Sequence, residues 1–290
     1  MWTGKLCGRC LKTLEALRRI SFIEISLTGR DSLKVRNPAM QISTEGVVLR
    51  ARDVDEADRV LTILTKERGV VSAFANGSKR MKSKLMASTQ TFAYSHFQLY
   101  KGKDHYTVDS AEPITAFYGI RNDVDRLALA GYLCELAQCL APEEDEAEGF
   151  LRLLLNCLHF LDKDSREPIL VKALFELRAL SMAGYMPNLV GCDVCGCFEA
   201  ERMGFYINSA KLVCMPCAKP PFSEQVIELP MSVLTAMRYI IYSEFDKLFA
   251  FSLAQPSLGL LAYVIETYTL CRIGHSFKTL EFIKSLPPKR

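Results

Sequence analysis

Apolar and polar positions alternate in short runs between residues 41 and 117, and turn-forming residues separate the runs. Segments 46–51 and 59–65 are rich in β-branched and aliphatic side chains. The polar stretch Arg52-Asp53-Val54-Asp55-Glu56-Ala57-Asp58 joins them. Segment 70–75 follows Arg68-Gly69 and stops at Asn76-Gly77; 92–100 alternates, and 106–110 follows Lys101-Gly102-Lys103-Asp104. Period-two alternation bounded by Gly, Asn and Asp predicts strands. Five such strands so close together predict a small closed barrel of the oligonucleotide-binding (OB) type. Along 92–100, Ala93, Ser95, Phe97 and Leu99 share one side, while Phe92, Tyr94, His96 and Tyr100 share the other. One set fills the barrel, and the pattern leaves open which.

Beyond Arg121 the period becomes helical. Leu127, Ala130, Leu133, Leu136 and Leu140 fall on one face. A second helix is expected over 147–161, after the acidic run Glu143-Glu144-Asp145-Glu146, which suits a solvated helix N-terminus. Pro168 opens a third helix that reaches Met182 and stops at Gly184, and two or three more fill 230–286. A cysteine-rich insert occupies about 190–225. The fold class is therefore α+β: an N-terminal five-stranded barrel over 41–120 and a helical domain over 121–290 that carries the insert. The longest apolar run, 258–265, falls short of the ~18 residues a membrane span needs.

Charge changes the reading of the N-terminus. Residues 1–39 hold eight Lys/Arg against three Asp/Glu, so the rest of the chain carries −2 of the overall +3. Residues 1–40 read as a basic extension outside the fold, with Met40 as the expected translation start; an Arg-rich presequence is the competing reading. The lone Cys7-x-x-Cys10 pair cannot close a metal site. Eleven cysteines without an apolar leader point to a reducing compartment, where clustered cysteines hold metal more often than disulfides. The expected location is the cytoplasm.

Cys192-x-x-Cys195 and Cys214-x-x-Cys217 stand eighteen residues apart, the paired spacing of a four-thiolate zinc site. Two intervening residues let a tight turn aim both sulfurs at one ion, and Gly196 supplies the positive φ such a turn uses. Four thiolates leave no position for water, so one structural zinc is expected. Cys197 is a spare thiol, read either as a bystander or as a substitute ligand. A thiol-redox centre is the competing reading, but it needs one Cys-x-x-Cys opening a helix.

No acidic residue lies between Glu67 and Asp104, whereas Arg68, Lys79, Arg80, Lys82, Lys84, Lys101 and Lys103 all do. The loop Asn76-Gly77-Ser78-Lys79-Arg80-Met81-Lys82-Ser83-Lys84 can neutralise phosphates, with Ser78 and Ser83 as further donors. Phe92, Tyr94, His96, Phe97, Tyr100 and Tyr106 are candidate stacking rings. The Asp53, Asp55, Glu56, Asp58 cluster reads as a solvated turn. No phosphate-cradling Gly-x-x-x-x-Gly-Lys, dinucleotide fingerprint, His-Glu-x-x-His or Gly-x-Ser-x-Gly motif occurs. A binding protein, rather than an enzyme, is expected.

The order of these features resembles the RecO family of bacterial recombination mediators. The resemblance rests on Glu45-Gly46-Val47-Val48-Leu49-Arg50 and Glu56-Ala57-Asp58-Arg59-Val60-Leu61-Thr62-Ile63-Leu64-Thr65. It also rests on the basic loop, on Gly184-Tyr185-Met186-Pro187 leading to Cys192, and on His275-Ser276-Phe277-Lys278-Thr279-Leu280; it spans about 41–286. It implies binding of single- and double-stranded DNA, annealing of complementary strands, and cooperation with RecR and single-strand-binding protein in loading RecA, in association with the nucleoid. It places DNA contacts at Lys79, Arg80, Lys82 and Lys84, with Lys101 and Lys103 behind them. Ser209-Ala210 departs from the glycine-rich turn expected before the second cysteine pair. An RNA- or ribosome-binding barrel with a zinc ribbon is the alternative reading.

Overall fold

The computed structural model describes residues 40–103 and 105–287; the expectations for the extension before Met40 lie outside them. Strands β1 (Met40–Asp53), β2 (Arg59–Thr65), β3 (Gly69–Ala75), β4 (Ala93–Lys101) and β5 (Tyr106–Ala116) close into a barrel in the order β1-β2-β3-β5-β4. The five-stranded expectation is met, but β1 begins six residues earlier and β5 ends six residues later than the alternation predicts. The reason is tertiary. The first half of β1 pairs with β4 (Gln41 opposite Tyr100, Val47 opposite Tyr94), and its second half pairs with β2. A bulge between Val48 and Arg50 bends the strand from one partner to the other. A short parallel pairing of Ala73 with Tyr106 and Phe74 with Thr107 completes the closure.

The barrel interior is filled by Ile42, Val48, Leu61, Ile63, Val71, Ala73, Phe97, Leu99, Val108 and Ala111. This settles the two sides of β4: Ala93, Ser95, Phe97 and Leu99 are buried. The outer face of β1 and β2 is not solvated throughout. Val47, Leu49 and Leu64, with Phe92, join the core of the helical domain.

That domain contains α1 (Val124–Leu140), α2 (Glu148–Lys163), α3 (Pro168–Met182), α4 (Met231–Tyr242), α5 (Ser257–Ile273) and α6 (Lys278–Ser285). Asp123 caps α1 by accepting the Arg126 N–H. The middle of α1 is covered on several sides, so Leu129 and Tyr132 are buried along with Ala130, Leu133 and Leu136. Leu127, expected on the buried face, is 40% exposed because the first turn of α1 borders an open groove beside the barrel. Helix α3 matches its expected bounds. Pro168 sits in its first turn, and Gly184 at φ +89 ends it in a Schellman turn, with Tyr185 N–H on Leu180 O (2.8 Å) and Gly184 N–H on Ser181 O (3.3 Å).

The acidic run before α2 is solvated as expected, all four residues being exposed, but it also forms a seam with the barrel. Glu144 accepts from Lys101 Nζ (2.8 Å) and from the Tyr106 hydroxyl (2.8 Å). Val70 N–H donates to Pro142 O (2.9 Å) and Ala147 N–H to Lys66 O (2.9 Å). Gly69 at φ +57 is required here, since a Cβ would stand 1.9 Å from Pro142 O. A buried ion network ties the helices together: Lys172 on α3 bonds Glu176 (2.8 Å) and Glu266 on α5 (2.8 Å), Lys284 on α6 reaches Glu266, and Tyr132 donates to Glu176 (2.6 Å).

The insert forms a second sheet of β6 (Asn188–Cys192), β7 (Arg202–Tyr206), β8 (Lys211–Cys214) and β9 (Val226–Pro230), ordered β6-β8-β7-β9. It is no isolated loop. Leu189, Met203, Phe205, Leu212 and Leu229 enter the helical core, and Phe205 meets Tyr268 edge to face at 5.5 Å. The β7–β8 turn places Ala210 at φ +56, where the resemblance expects glycine; a left-handed alanine costs roughly 1 kcal/mol.

Candidate metal centre and nucleic-acid interface

Cys192 ends β6 and Cys214 ends β8. These strands lie side by side in parallel, with Asp193 N–H on Leu212 O at 2.8 Å, so both Cys-x-x-Cys turns start from neighbouring strand ends. The sulfurs of Cys192, Cys195, Cys214 and Cys217 all lie within 4.8 Å of one another. The Cys195 and Cys214 sulfurs are 3.7 Å apart. A tetrahedral ion with bonds of about 2.3 Å needs its thiolates about 3.8 Å apart, so the cluster has the span to hold one. Backbone N–H groups favour the thiolate form at Cys192 and Cys195, whereas the neighbouring sulfurs of Cys214 and Cys195 push the Cys217 thiol up. Burial acts to raise the Cys192 thiol, yet N–H groups of Cys195, Cys214 and Val194 win and hold it down to about 6. The Cys197 N–H likewise lowers Cys195. Gly196 turns the first pair at φ +72. Neither pair opens a helix, and the four sulfurs lie close enough together to hold a metal ion.

The basic loop is held down more than its composition suggests. Leu85 packs against the barrel core, and Ser88 donates to Ala111 O (3.2 Å). The acidic β1–β2 turn, expected to be merely solvated, is the loop's anchor. Asp58 accepts the Gly77 N–H (2.7 Å), and Ala57 O accepts the Lys79 N–H (3.0 Å). Asp53 pairs with Lys79 (2.9 Å) and with Arg59 (3.2 Å). The Lys79 ammonium, helped by Arg59 against slight desolvation, holds the Asp53 carboxyl below its ordinary 3.8. Lys79 is thus committed inside the protein. Lys101 is committed to Glu144. Arg80, Lys82, Lys84 and Lys103 are exposed and form no ion pair among the described residues. Ser78 is fully buried and faces no phosphate, whereas Ser83 remains partly exposed.

Most of the candidate rings are also spoken for. Phe97 lies inside the barrel, Phe92 and Tyr106 are buried, and the Tyr94 hydroxyl bonds Glu45. His96 is exposed beside Glu45 (3.6 Å), and Tyr100 is half-buried. An aromatic outside that set of candidates takes their place. Arg52 stands opposite Val60, which stands opposite Phe74, and all three point outward; Arg50, Thr62 and Ser72 form the next row. Phe74 is 37% exposed and meets His105 edge to face at 5.4 Å. Arg50 and Arg52 are exposed without ion pairs among the described residues. The small inward residues Val71, Ala73 and Ala75 already place Phe74 outside, a signal present in the run 69–75. This face lies one register row from the strand ends that carry the basic loop, and the Lys103 turn flanks it. In OB barrels, the face of strands 2 and 3 with the loops between strands 1 and 2 and between strands 4 and 5 is where oligonucleotides bind; the Lys103 turn is the second of these, and the basic loop lies between β3 and β4.

Among the described residues no helix is long and apolar enough to cross a membrane. Comparison with known proteins places the barrel and the helices together. Residues 40–117 match the family model "Recombination protein O N terminal", and residues 121–281 match "Recombination protein O C terminal". A DNA repair protein RecO of Acetivibrio thermocellus is 36% identical over 245 residues, covering 84% of this chain and 97% of its own length. Those of Alkaliphilus metalliredigens and Symbiobacterium thermophilum are 33% and 30% identical, over 85% and 86% of this chain and 100% and 98% of their own.

Proposed function

This chain belongs to the recombination protein O family of DNA repair proteins, and from that premise we propose that it is a non-catalytic mediator of recombinational repair. It binds single- and double-stranded DNA in the cytoplasm, at the nucleoid, anneals complementary strands, and works with RecR and single-strand-binding protein in loading RecA. The observation that carries the reading is a set of uncommitted cations together with an exposed ring. Arg80, Lys82 and Lys84 on the anchored loop, Lys103 on the turn between β4 and β5, and Arg50 and Arg52 on β1 are exposed, and Arg52 shares the register row of Phe74 across β2. Cations neutralise phosphates and release counterions, while a ring stacks on a base of any identity. That combination suits sequence-tolerant binding, which annealing of arbitrary strands requires. Lys79 and Lys101 serve a different purpose: the first holds the loop, and the second holds the barrel to α2.

One zinc ion held by Cys192, Cys195, Cys214 and Cys217 completes the proposal; four thiolates at tetrahedral spacing favour zinc. When bound, it supplies a cross-link between the ends of β6 and β8, and no reaction is assigned to it.

The test is annealing of two complementary, dye-labelled DNA strands, each coated with cognate single-strand-binding protein. Addition of the chain is expected to accelerate duplex formation. Substitution of Arg80, Lys82 and Lys84 by Gln is expected to abolish the acceleration. Binding without acceleration would remove the mediator role, and capture of the chain by matched RNA in preference to DNA would reassign the interface.

A further inference from the structure

Cys197 is not one of the four cysteines whose sulfurs all lie within 4.8 Å of one another. It is nonetheless built into the same turn. Its carbonyl accepts the Cys192 N–H at 2.9 Å, and its N–H donates to the Cys195 sulfur. It stands two positions after Cys195, in the turn that Gly196 makes at φ +72. The side chain is partly buried and packs against the helical core rather than pointing away.

The four ligands are unequal. Cys192 and Cys214 are buried, Cys217 is partly buried, and Cys195 is exposed. Cys195 is therefore the ligand that water and electrophiles reach first. Removing it leaves Cys192-x-x-x-x-Cys197, a four-residue spacing still within the range that pairs of zinc thiolates use. The hinge for such an exchange is present. Gly196 separates the two cysteines at φ +72, and a Cβ there would meet nothing within 4 Å, so the turn has open space in which to re-form.

We infer that Cys197 is a reserve metal ligand that takes the position of Cys195 when Cys195 is blocked or displaced. The exchange balances simply. As the Cys197 sulfur bonds the ion, its proton passes to solvent, and the departing Cys195 sulfur takes up a proton or keeps the group that blocked it. The ion retains four thiolates throughout. The inference rests on the metal reading above, and the experiment separates the two.

The full chain is prepared as wild type, Cys195→Ser, Cys197→Ser and the double variant. Metal content is measured by plasma mass spectrometry, and the thiolate-to-cobalt absorption is recorded after exchange with Co²⁺. Wild type and Cys197→Ser are expected to carry about one zinc per chain with a four-thiolate cobalt spectrum. Cys195→Ser is expected to keep both the zinc and that spectrum, and only the double variant is expected to lose thiolate intensity. A Cys195→Ser spectrum coincident with that of the double variant overturns the reserve role. Wild type without bound metal overturns the metal reading itself. Should Cys195→Ser not fold, wild type is alkylated to a single adduct, mapped by peptide mass and weighed under native conditions. Zinc retained with the adduct on Cys195 supports the exchange, and zinc lost overturns it.

Discussion

Substituting the basic loop residue by residue distinguishes what the structure says about its charges from what a count of charges says. Four loop cations, Lys79, Arg80, Lys82 and Lys84, are equivalent in sequence. In the structure Lys79 spends its charge on Asp53 at 2.9 Å, and the other three face solvent. Each phosphate contact on a single strand contributes about 0.7 to the slope of log affinity against log salt. Replacing Arg80, Lys82 and Lys84 by Gln should flatten the slope by about 2.1, and adding Lys79→Gln should flatten it no further, whereas the quadruple variant would reach about 2.8 if all four cations touched phosphate. Between 50 and 200 mM salt a slope change of that size alters the salt penalty about 20-fold. Lys79→Met alone should lower affinity, because the loop loses its anchor, while leaving the slope unchanged. The assay is fluorescence anisotropy of a labelled oligothymidylate at several salt concentrations. A full 0.7 loss of slope in Lys79→Met would falsify the assignment of Lys79 as an anchor, and an unchanged slope in the triple variant would remove the loop from the interface.

Three further outcomes follow from the same coordinates. Chelation of the metal should open 192–197 and 214–217 but leave β7 protected from hydrogen exchange, since Met203 and Phe205 are fully buried in the helical core; uniform loss of protection over 188–230 would contradict this. Lys172→Met should destabilise the chain by about 3–5 kcal/mol in chemical denaturation, because it strands the buried Glu176, and Lys172→Met/Glu176→Gln should recover most of that loss. The folded-state pKa of Asp53 is depressed, so its tether is intact above its ordinary 3.8 and is lost as pH falls through the lower folded value. The protection factor of the Lys79 amide, taken against the unstructured rate at each pH, should accordingly fall in strong acid, and Asp53→Asn should show the lowered factor already at neutral pH.

How much of this was legible in the chain differs from element to element. The period-two runs, the switch to a helical period after Arg121, and Pro168 with Gly184 around α3 express local stereochemistry, so the α+β class and several helix bounds could be read directly. The cysteine spacing encodes a turn geometry, and the four sulfurs do come together. Pairing across the barrel could not be read locally. The start of β1 is defined by β4, some fifty residues away, and the run 41–45 is too polar to announce a strand. The same limit governs the charges. Which lysine is free depends on whether a carboxylate from another turn lies within about 3 Å, and that took Lys79 and Lys101 out of the candidate interface. Burial likewise retired Ser78, Phe92 and Phe97 and left Phe74 as an exposed ring on the face of β2 and β3. The sequence by itself determined the residue types, the local periods and the spacing of the thiols, because those depend on neighbours along the chain. Which cation, which ring and which face stay available to a ligand was decided only by the tertiary structure, because availability depends on what the fold brings alongside.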